Sequence, residues 1–430
     1  KKKLTAMIAT TVMAATVGLS SVALAACGGD TGASKEGRLA IWVGEQLEEM
    51  FQKIAADYTK ETGFPVVVNT YTGLTASDKL ALDGPFGKGG DVYVQGGGGD
   101  LAQSIEKGLF KELSATEMEL ETKFISGAQG LMQYKGKLYG VPLGIETNAM
   151  FYNKDLIPAD VLPTLFDTWE GMVEWAKSYN DFVGVKSKNQ KFGLLIDYTN
   201  PYYTWAINEA FGGYIFGKDA EGNWNPQDIG IDTDGSIEAT KLIKGLIDDQ
   251  VIPTDMAITL MQSKFTSKKA AILLDGSWDL ANFRKAGINV GIAPIPSIKI
   301  SDTERGTPVA FSGGYGLAVN SYSLNPTESV DFLKFATRDE YVLEYYKVTG
   351  RIPSTKGCEK IDEVANDECL KGFYEQLVNS YPQPSINEMN AVWDPLTAAA
   401  SAIFTNNEDV STVLHKVKND VLENIKLLNS

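Results

Sequence analysis

At 430 residues the chain is too long for one ordinary hydrophobic core and suits two or more lobes. Its composition, 43% apolar with few prolines, is that of a folded chain and excludes intrinsic disorder. The formal charge is −16, and −19 once residues 1–26 are set aside (36 basic against 55 acidic residues). A surface of that sign repels phosphate backbones and anionic headgroups, which argues against nucleic acid and leaves neutral ligands open.

The first residues read as an export signal. KKK is a positive start, and LTAMIATTVMAATVGLSSVALAA (4–26) is an uncharged stretch ending in small residues. A stop-transfer anchor is the alternative, but Ala, Ser and Thr make the stretch weakly hydrophobic for that task. The ending Leu24-Ala25-Ala26-Cys27-Gly28 resembles the bacterial lipobox, in which the cysteine becomes the new N-terminus and carries lipid. Residues 27–37 are then expected to be a flexible tether.

RLAIWVG (38–44) is a strand, QLEEMFQKIAADYTKETG (46–63) an amphipathic helix stopped by Gly63, and PVVVNTY (65–71) a second strand. Leu47, Met50, Phe51, Ile54 and Tyr58 share one helix face. This β-α-β unit implies a parallel sheet. GGDVYVQ (89–95) is a strand and DLAQSIEKGLF (100–110) a helix. KGKLYGVPLGIE (135–146) is a hairpin followed by an extended segment running toward a second lobe. Further on, KAAILLDG (269–276) is a strand before SWDLANFRKAG, while GINVGIAPIP and GGYGLAVNSY are strands. PTESVDFLKFAT and the tail 410–428 are helices. The alternation is that of an α/β protein.

Cys358 and Cys369 are the two remaining cysteines. A straight helix between them would hold them about 16 Å apart, so a bridge requires a turn, expected at Asn366-Asp367. The bridge is the expectation and two buried thiols the alternative.

Metal and nucleophile chemistry find little here. The single histidine, His415, lies on the tail helix as a surface residue, and neither HExxH nor a phosphate-binding loop occurs. The glycine run 96–99 lacks the lysine of a phosphate cradle. GKDAEGNWNPQD (217–228) has oxygen spacing reminiscent of a calcium loop but no bidentate Glu at the twelfth position, and reads as a surface hairpin turning at Gly222-Asn223. No metal or cofactor is expected.

Sugar rings present flat C–H faces and a rim of hydroxyls, so a site for them needs aromatic plates beside Asp, Glu, Asn or Gln. Three segments supply that mixture: NPYYTW (200–205), DGSWD (275–279) and MNAVWDP (389–395). Within 197–216, Tyr202 and Tyr203 at the start of a helix are the cleft candidates. Trp205 borders the cleft or turns inward, and Phe211, Tyr214 and Phe216 are expected to pack.

From the tether onward the chain resembles the extracellular solute-binding proteins of carbohydrate ABC importers, in particular the maltose/maltodextrin-binding branch. The likeness rests on RLAIWV, LALDGPFGKGGDV (80–92), YKGKLYGVPLGIETNAMFYNKDL (134–156), NPYYTWAINEAFGGYIF (200–216), AAILLDGSWDLANF (270–283) and MNAVWDPLTAA (389–399). It implies a type II, two-lobed α/β fold with a ligand cleft between the lobes and no catalysis. The N-terminal lobe would take 38–144 and 311–349, the C-terminal lobe 145–310 and 350–430. It also implies a monomer, lipid-anchored on the extracellular face of a bacterial membrane, that passes neutral oligosaccharides such as α-glucans to the permease subunits. Glu146 matches the family's acidic sugar ligand, Tyr202 a stacking tyrosine with Tyr203 beside it, and Trp278 and Trp393 two stacking tryptophans.

The departures fall on the first lobe. Where the family has a Trp before an Asp-Arg pair, this chain has Gln95-Gly96-Gly97-Gly98-Gly99-Asp100; Gln95 and Asp100 remain candidates for hydroxyls, with Asp100 alternatively a helix N-cap. The acid before Pro-Tyr is here Asn200. The family's Asp-Lys aligns with Gln46-Leu47, leaving Glu45 as a substitute. Another neutral oligosaccharide is the alternative substrate, and a secreted glycoside hydrolase or a polysaccharide-capturing adhesin are the rival functions.

Overall fold

The opening β-α-β unit forms as its pattern dictates. β1 (Leu39–Gly44) and β2 (Val66–Tyr71) pair in parallel, with Leu39 opposite Val66 and Gly44 opposite Tyr71. The helix Glu48–Thr62 between them buries Met50, Phe51, Ile54 and Tyr58. It ends at Gly63, whose φ of 77° a residue without Cβ reaches at no steric cost. β3 (Val92–Gly96) pairs on the other side of β1.

The structure is a computed structural model that describes residues 32–71, 76–181, 190–254 and 256–428. The export signal, Cys27 and the first part of the tether lie outside the described residues. From residue 32 the expected flexible tether is corrected, because the chain is already tied to the first lobe. Ser34 is buried, its N–H donates to Gly89 O at 2.8 Å, and its Oγ donates to Asp91 Oδ1 at 2.5 Å. Gly37 N donates to Asn325 Oδ1 at 2.9 Å.

The hairpin β4 (Gln133–Tyr134) and β5 (Lys137–Leu138) leads into β6 (Val141–Asn153). At thirteen residues, β6 is about 43 Å long and serves two half-sheets. The later strands are β7 (Phe192–Ile196), β8 (Phe216–Lys218), β9 (Trp224–Ile229), β10 (Ala270–Gly276), β11 (Val290–Ala293), β12 (Ile298–Lys299), β13 (Arg305–Gly306), β14 (Ala310–Val319), β15 (Ile352–Pro353) and β16 (Ser380–Pro382). The main order is β2-β1-β3-β14-β6-β10-β7. Residues 141–147 of β6 run antiparallel to β14 and 148–152 antiparallel to β10, with β11 also on its end and β15 on Gly144 and Ile145. The result is an α/β fold of two lobes of the type II binding-protein kind. β14 pairs with β3 and β6 at one end and β16 at the other, so it too links the halves.

The largest core cluster draws from both halves, from Leu39 and Val92 to Phe265 and Phe373. Another buries the tail helix Val410–Leu428 against Phe311 and Val392 through Val413, Val417, Val421 and Ile425. β8 and β9 form the expected hairpin over 217–228. Asp219 spends its carboxylate on that turn, accepting from Glu221 N at 3.0 Å and Asn223 N at 2.8 Å.

The expected disulfide is not formed: Cys358 and Cys369 are both buried free thiols. The predicted turn exists, with Asp367 capping the helix Glu368–Val378 by accepting from Cys369 N and Leu370 N. It seats the two sulfurs against different neighbours. Cys358 Sγ lies 3.3 Å from Asp339 O and accepts from Thr355 Oγ1, whereas Cys369 Sγ lies 3.4 Å from Val290 O on β11. Burial pushes the Cys358 thiol up to about 11.

Candidate ligand-binding cleft

The parallel strands of the first half all end at one edge, and the residues there line a cavity of about 230 Å³. Gly44 ends β1 and Gln46 follows it, Tyr71 ends β2, Gln95 and Gly96 end β3, and Asp100, Tyr315, Tyr345 and Arg351 join them in the lining. A neighbouring cavity of about 140 Å³ shares Gly96, Asp100 and Tyr315 and adds Glu146, Gly313, Tyr202 and Gln383. A third, of about 500 Å³, shares Tyr202 and Gln383 and reaches Asn200, Trp393 and Thr397. The shared residues join the three into one elongated cleft.

Glu146 stands on β6 where the strand passes from one half-sheet to the other. Its Oε2 accepts from Arg351 Nε at 2.7 Å, and the Arg351 guanidinium lies 4.6 Å from the centroid of the Tyr315 ring. Asp100 is not an N-cap: the cap of the helix Gly99–Glu106 is Gly98, at φ 68°. Asp100 sits in the first turn and faces two of the cavities, where burial, with Asp78 adding to it, raises its pKa.

The aromatic side is built on the helix Pro201–Ala210. Asn200 caps it, its Oδ1 accepting from Tyr202 N at 3.0 Å, and Pro201 opens it with a φ already suited to a helix. Asn148 on β6 donates to Tyr202 O at 2.9 Å and pins this turn to the crossing strand. The Tyr202 ring then lies 6.0 Å from Trp278 and 6.2 Å from Trp393, centroid to centroid. Trp278 is partly exposed beside Tyr202 and does not line the three cavities. Tyr203 stands behind that plate, buried at 6% exposure and 6.3 Å from the Trp278 ring. Trp205 turns inward, stacks on Phe311 at 6.1 Å and donates to Glu209 Oε1 at 2.9 Å.

Of the residues expected at the site, Glu146, Asp100, Asn200, Tyr202 and Trp393 border the cleft and Trp278 adjoins it. Gln95 lines it, but both ends of its amide are occupied, Oε1 by Ser77 Oγ and Nε2 by Gly96 O. Glu45 is exposed and outside the lining, and its neighbour Gln46 takes the place expected of it. Arg351, Tyr315, Tyr345, Tyr71 and Gln383 were not anticipated. An arginine in the otherwise apolar RIP was the one available signal; the tyrosines and Gln383 sit in ordinary strand and loop contexts. His415 is on the surface, with Nδ1 2.8 Å from Asp232 Oδ2. Among the described residues no cluster of three His, Cys, Asp or Glu is placed to hold a metal ion.

A two-lobed α/β frame whose strand ends and crossing segments enclose an aromatic-lined cleft defines a binding protein. The chain belongs to the family of bacterial extracellular solute-binding proteins, which matches residues 53–372; its members bind their ligands rather than act on them. It is 30% identical to the maltooligosaccharide ABC transporter solute-binding lipoprotein of Streptococcus pneumoniae, over 97% of each chain. It is 29% identical to the galactooligosaccharide-binding protein of Bacillus subtilis, over 95% of this chain and 96% of that one. A solved cyclo/maltodextrin-binding protein complexed with maltotetraose superposes with a TM-score of 0.79 at 28% identity, covering 91% of this chain and 98% of that one.

Proposed function

We propose that this chain is the substrate-capturing subunit of an ABC importer and that its cleft takes neutral oligosaccharides, malto-oligosaccharides first. The observation that carries this is the aromatic group of Tyr202, Trp278 and Trp393, with centroids 6.0 and 6.2 Å from Tyr202, set along a cleft whose other wall holds Glu146, Asp100 and Arg351. Rings of that size stack on sugar faces while the polar wall takes hydroxyls. In this reading Glu146, Asp100, Asn200 and Arg351 are the hydroxyl-binding groups. The lobes divide at the crossings of β6, β14 and residue 350, giving 38–144 with 311–349 and 145–310 with 350–430. Closure of the two on the sugar presents the loaded form to the permease subunits. The protein works as a monomer held to the extracellular face of the membrane by lipid on Cys27; the LAACG stretch and the pneumococcal relative's description as a lipoprotein support the anchor.

Thermal unfolding with and without sugar tests the reading. A ligand at a hundred times its Kd adds about 2.7 kcal/mol to the folded state, so maltotriose and maltotetraose are expected to raise Tm by several degrees. A larger rise with galactooligosaccharides would reassign the substrate, and no rise with any of these sugars would contradict the proposal.

A further inference from the structure

An apolar patch lies at the end of the first-lobe strands opposite the cleft. Among the described residues, four of the nine exposed large apolar side chains fall on two short segments there: Leu82 and Phe86 on one, Tyr322 and Leu324 on the other, between 44% and 76% exposed. The segments touch, since a Cβ on Gly84, midway between Leu82 and Phe86, would stand 2.9 Å from Tyr322 Cδ2. β3 fixes the location. Gly96 at its end lines the cleft, whereas Asp91, just before its start, is the buried acceptor for Ser34 Oγ, Ser323 Oγ and Asn325 Nδ2. The five residues of β3 put about 17 Å of strand between the two ends.

Single exposed apolar residues are ordinary; the charge around these four is not. In a chain of 55 acidic and 39 basic residues, NSYSLNPT (320–327) carries no charge. LDGPFGK (82–88) carries Lys88 and one acid, Asp83, which is paired with Lys79 at 2.6 Å. The repulsion that an acidic surface exerts on anionic headgroups is therefore weak at this face.

The N-terminal end of the lobe is tied down beside the same patch. Trp42 Nε1 donates to Gly32 O at 2.9 Å, Ser34 N donates to Gly89 O, three positions after Phe86, and Leu324 N donates to Ser34 Oγ at 2.9 Å. Gly32 is five residues from Cys27, and five residues span at most about 18 Å, less than the roughly 30 Å width of a small domain. With lipid on Cys27, so short a tie keeps the face that holds Gly32 and Ser34 next to the bilayer.

We propose that Leu82, Phe86, Tyr322 and Leu324 form a membrane-contact surface: they rest in the headgroup region of the bilayer that carries the Cys27 lipid and hold the first lobe in one orientation, with the cleft end of its strands clear of the lipid. This rests on the reading of Cys27 as the lipid-bearing residue, and the test separates the two. The full chain, purified with its lipid, is reconstituted in vesicles of phosphatidylethanolamine and phosphatidylglycerol. A nitroxide on Leu324→Cys reports the patch, and one on Val378→Cys, an exposed position at the end of the helix Glu368–Val378, reports a face in water. Cys358 and Cys369 are buried and stay unlabelled. The Leu324→Cys label is expected to lose collisions with an aqueous nickel chelate and gain collisions with membrane-dissolved oxygen relative to the Val378→Cys label. Adding Leu82→Ser and Phe86→Ser, both at exposed positions, is expected to remove that difference without lowering Tm. Equal accessibility of the two labels, on a chain whose N-terminal mass shows lipid on Cys27, overturns the membrane contact and leaves the anchor standing. Shielding of the Leu324→Cys label only when the permease subunits share the bilayer overturns it too, by assigning the patch to a protein. A Cys27 without lipid overturns both readings.

Discussion

Arg351 and Glu146 meet where the chain crosses between the half-sheets, Nε to Oε2 at 2.7 Å, with side chains only 11% and 15% exposed. An ion pair this far from water has given up hydration on both partners, so removing one partner leaves an uncompensated charge. Arg351→Met is expected to destabilise the protein by about 3–5 kcal/mol, and adding Glu146→Leu to restore much of that. Urea unfolding of the two single variants and the double variant measures this; equal and additive losses would mean that the pair is not coupled.

Gly276 gives a sharper probe of the aromatic wall. Its φ of −91° and ψ of 154° are ordinary extended values that alanine adopts freely, so Gly276→Ala is expected to fold. Its new methyl would stand 2.1 Å from the Trp278 ring and must displace it. Affinity for maltotetraose is expected to fall by about 1–3 kcal/mol with little change in Tm. Unchanged affinity would remove Trp278 from the site.

The buried pair behind Trp278 leaves a mark on pH dependence. Burial first and Asp279 second raise the Asp275 carboxyl well above 3.8, and burial raises Asp279 as well. A group whose folded pKa is raised contributes stability that is fully present below its unfolded pKa and lost as pH rises through the folded value. The groups facing the pair are Tyr203 and, at longer range, Arg351 near Asp279 and Asp197 near Tyr203. Asp275→Asn is therefore expected to gain stability relative to the parent as pH rises from 4 to 8. Urea midpoints across that range check it, and a gap that stays constant with pH would refute it.

Cys358 and Cys369 are expected to be unreactive to a thiol reagent in the native protein and both to react on unfolding without prior reduction, since both are free and buried. Thiols that appear only after reduction would restore the disulfide.

Much of the scaffold was written in local patterns. The face of Leu47, Met50, Phe51, Ile54 and Tyr58 and the stop at Gly63 specify one helix almost by themselves. The Asn200-Pro201 start explains why Tyr202 emerges at the cleft, because cap and proline fix where that helix begins. What was not legible depends on distant segments. Arg351 pairs with Glu146 across 205 positions of sequence, and Tyr315 becomes part of the wall because β14 lies between β3 and β6. The cysteines mislead for the same reason: a turn between two thiols says nothing of the separate partners, Asp339 and Val290, that hold each sulfur. Asp100 was left between two roles, and it took the positive φ of Gly98 to assign the cap to the glycine.

Calorimetric titration of the unaltered protein with maltotetraose, beside a variant carrying Trp278→Ala and Trp393→Ala, tests the central claim most directly. The account predicts one sugar bound per chain and, for the double variant, a loss of about 2–6 kcal/mol, a stacking contribution of 1–3 from each ring. Absence of binding to maltotetraose and to longer α-glucans, or equal affinity in the double variant, would contradict it.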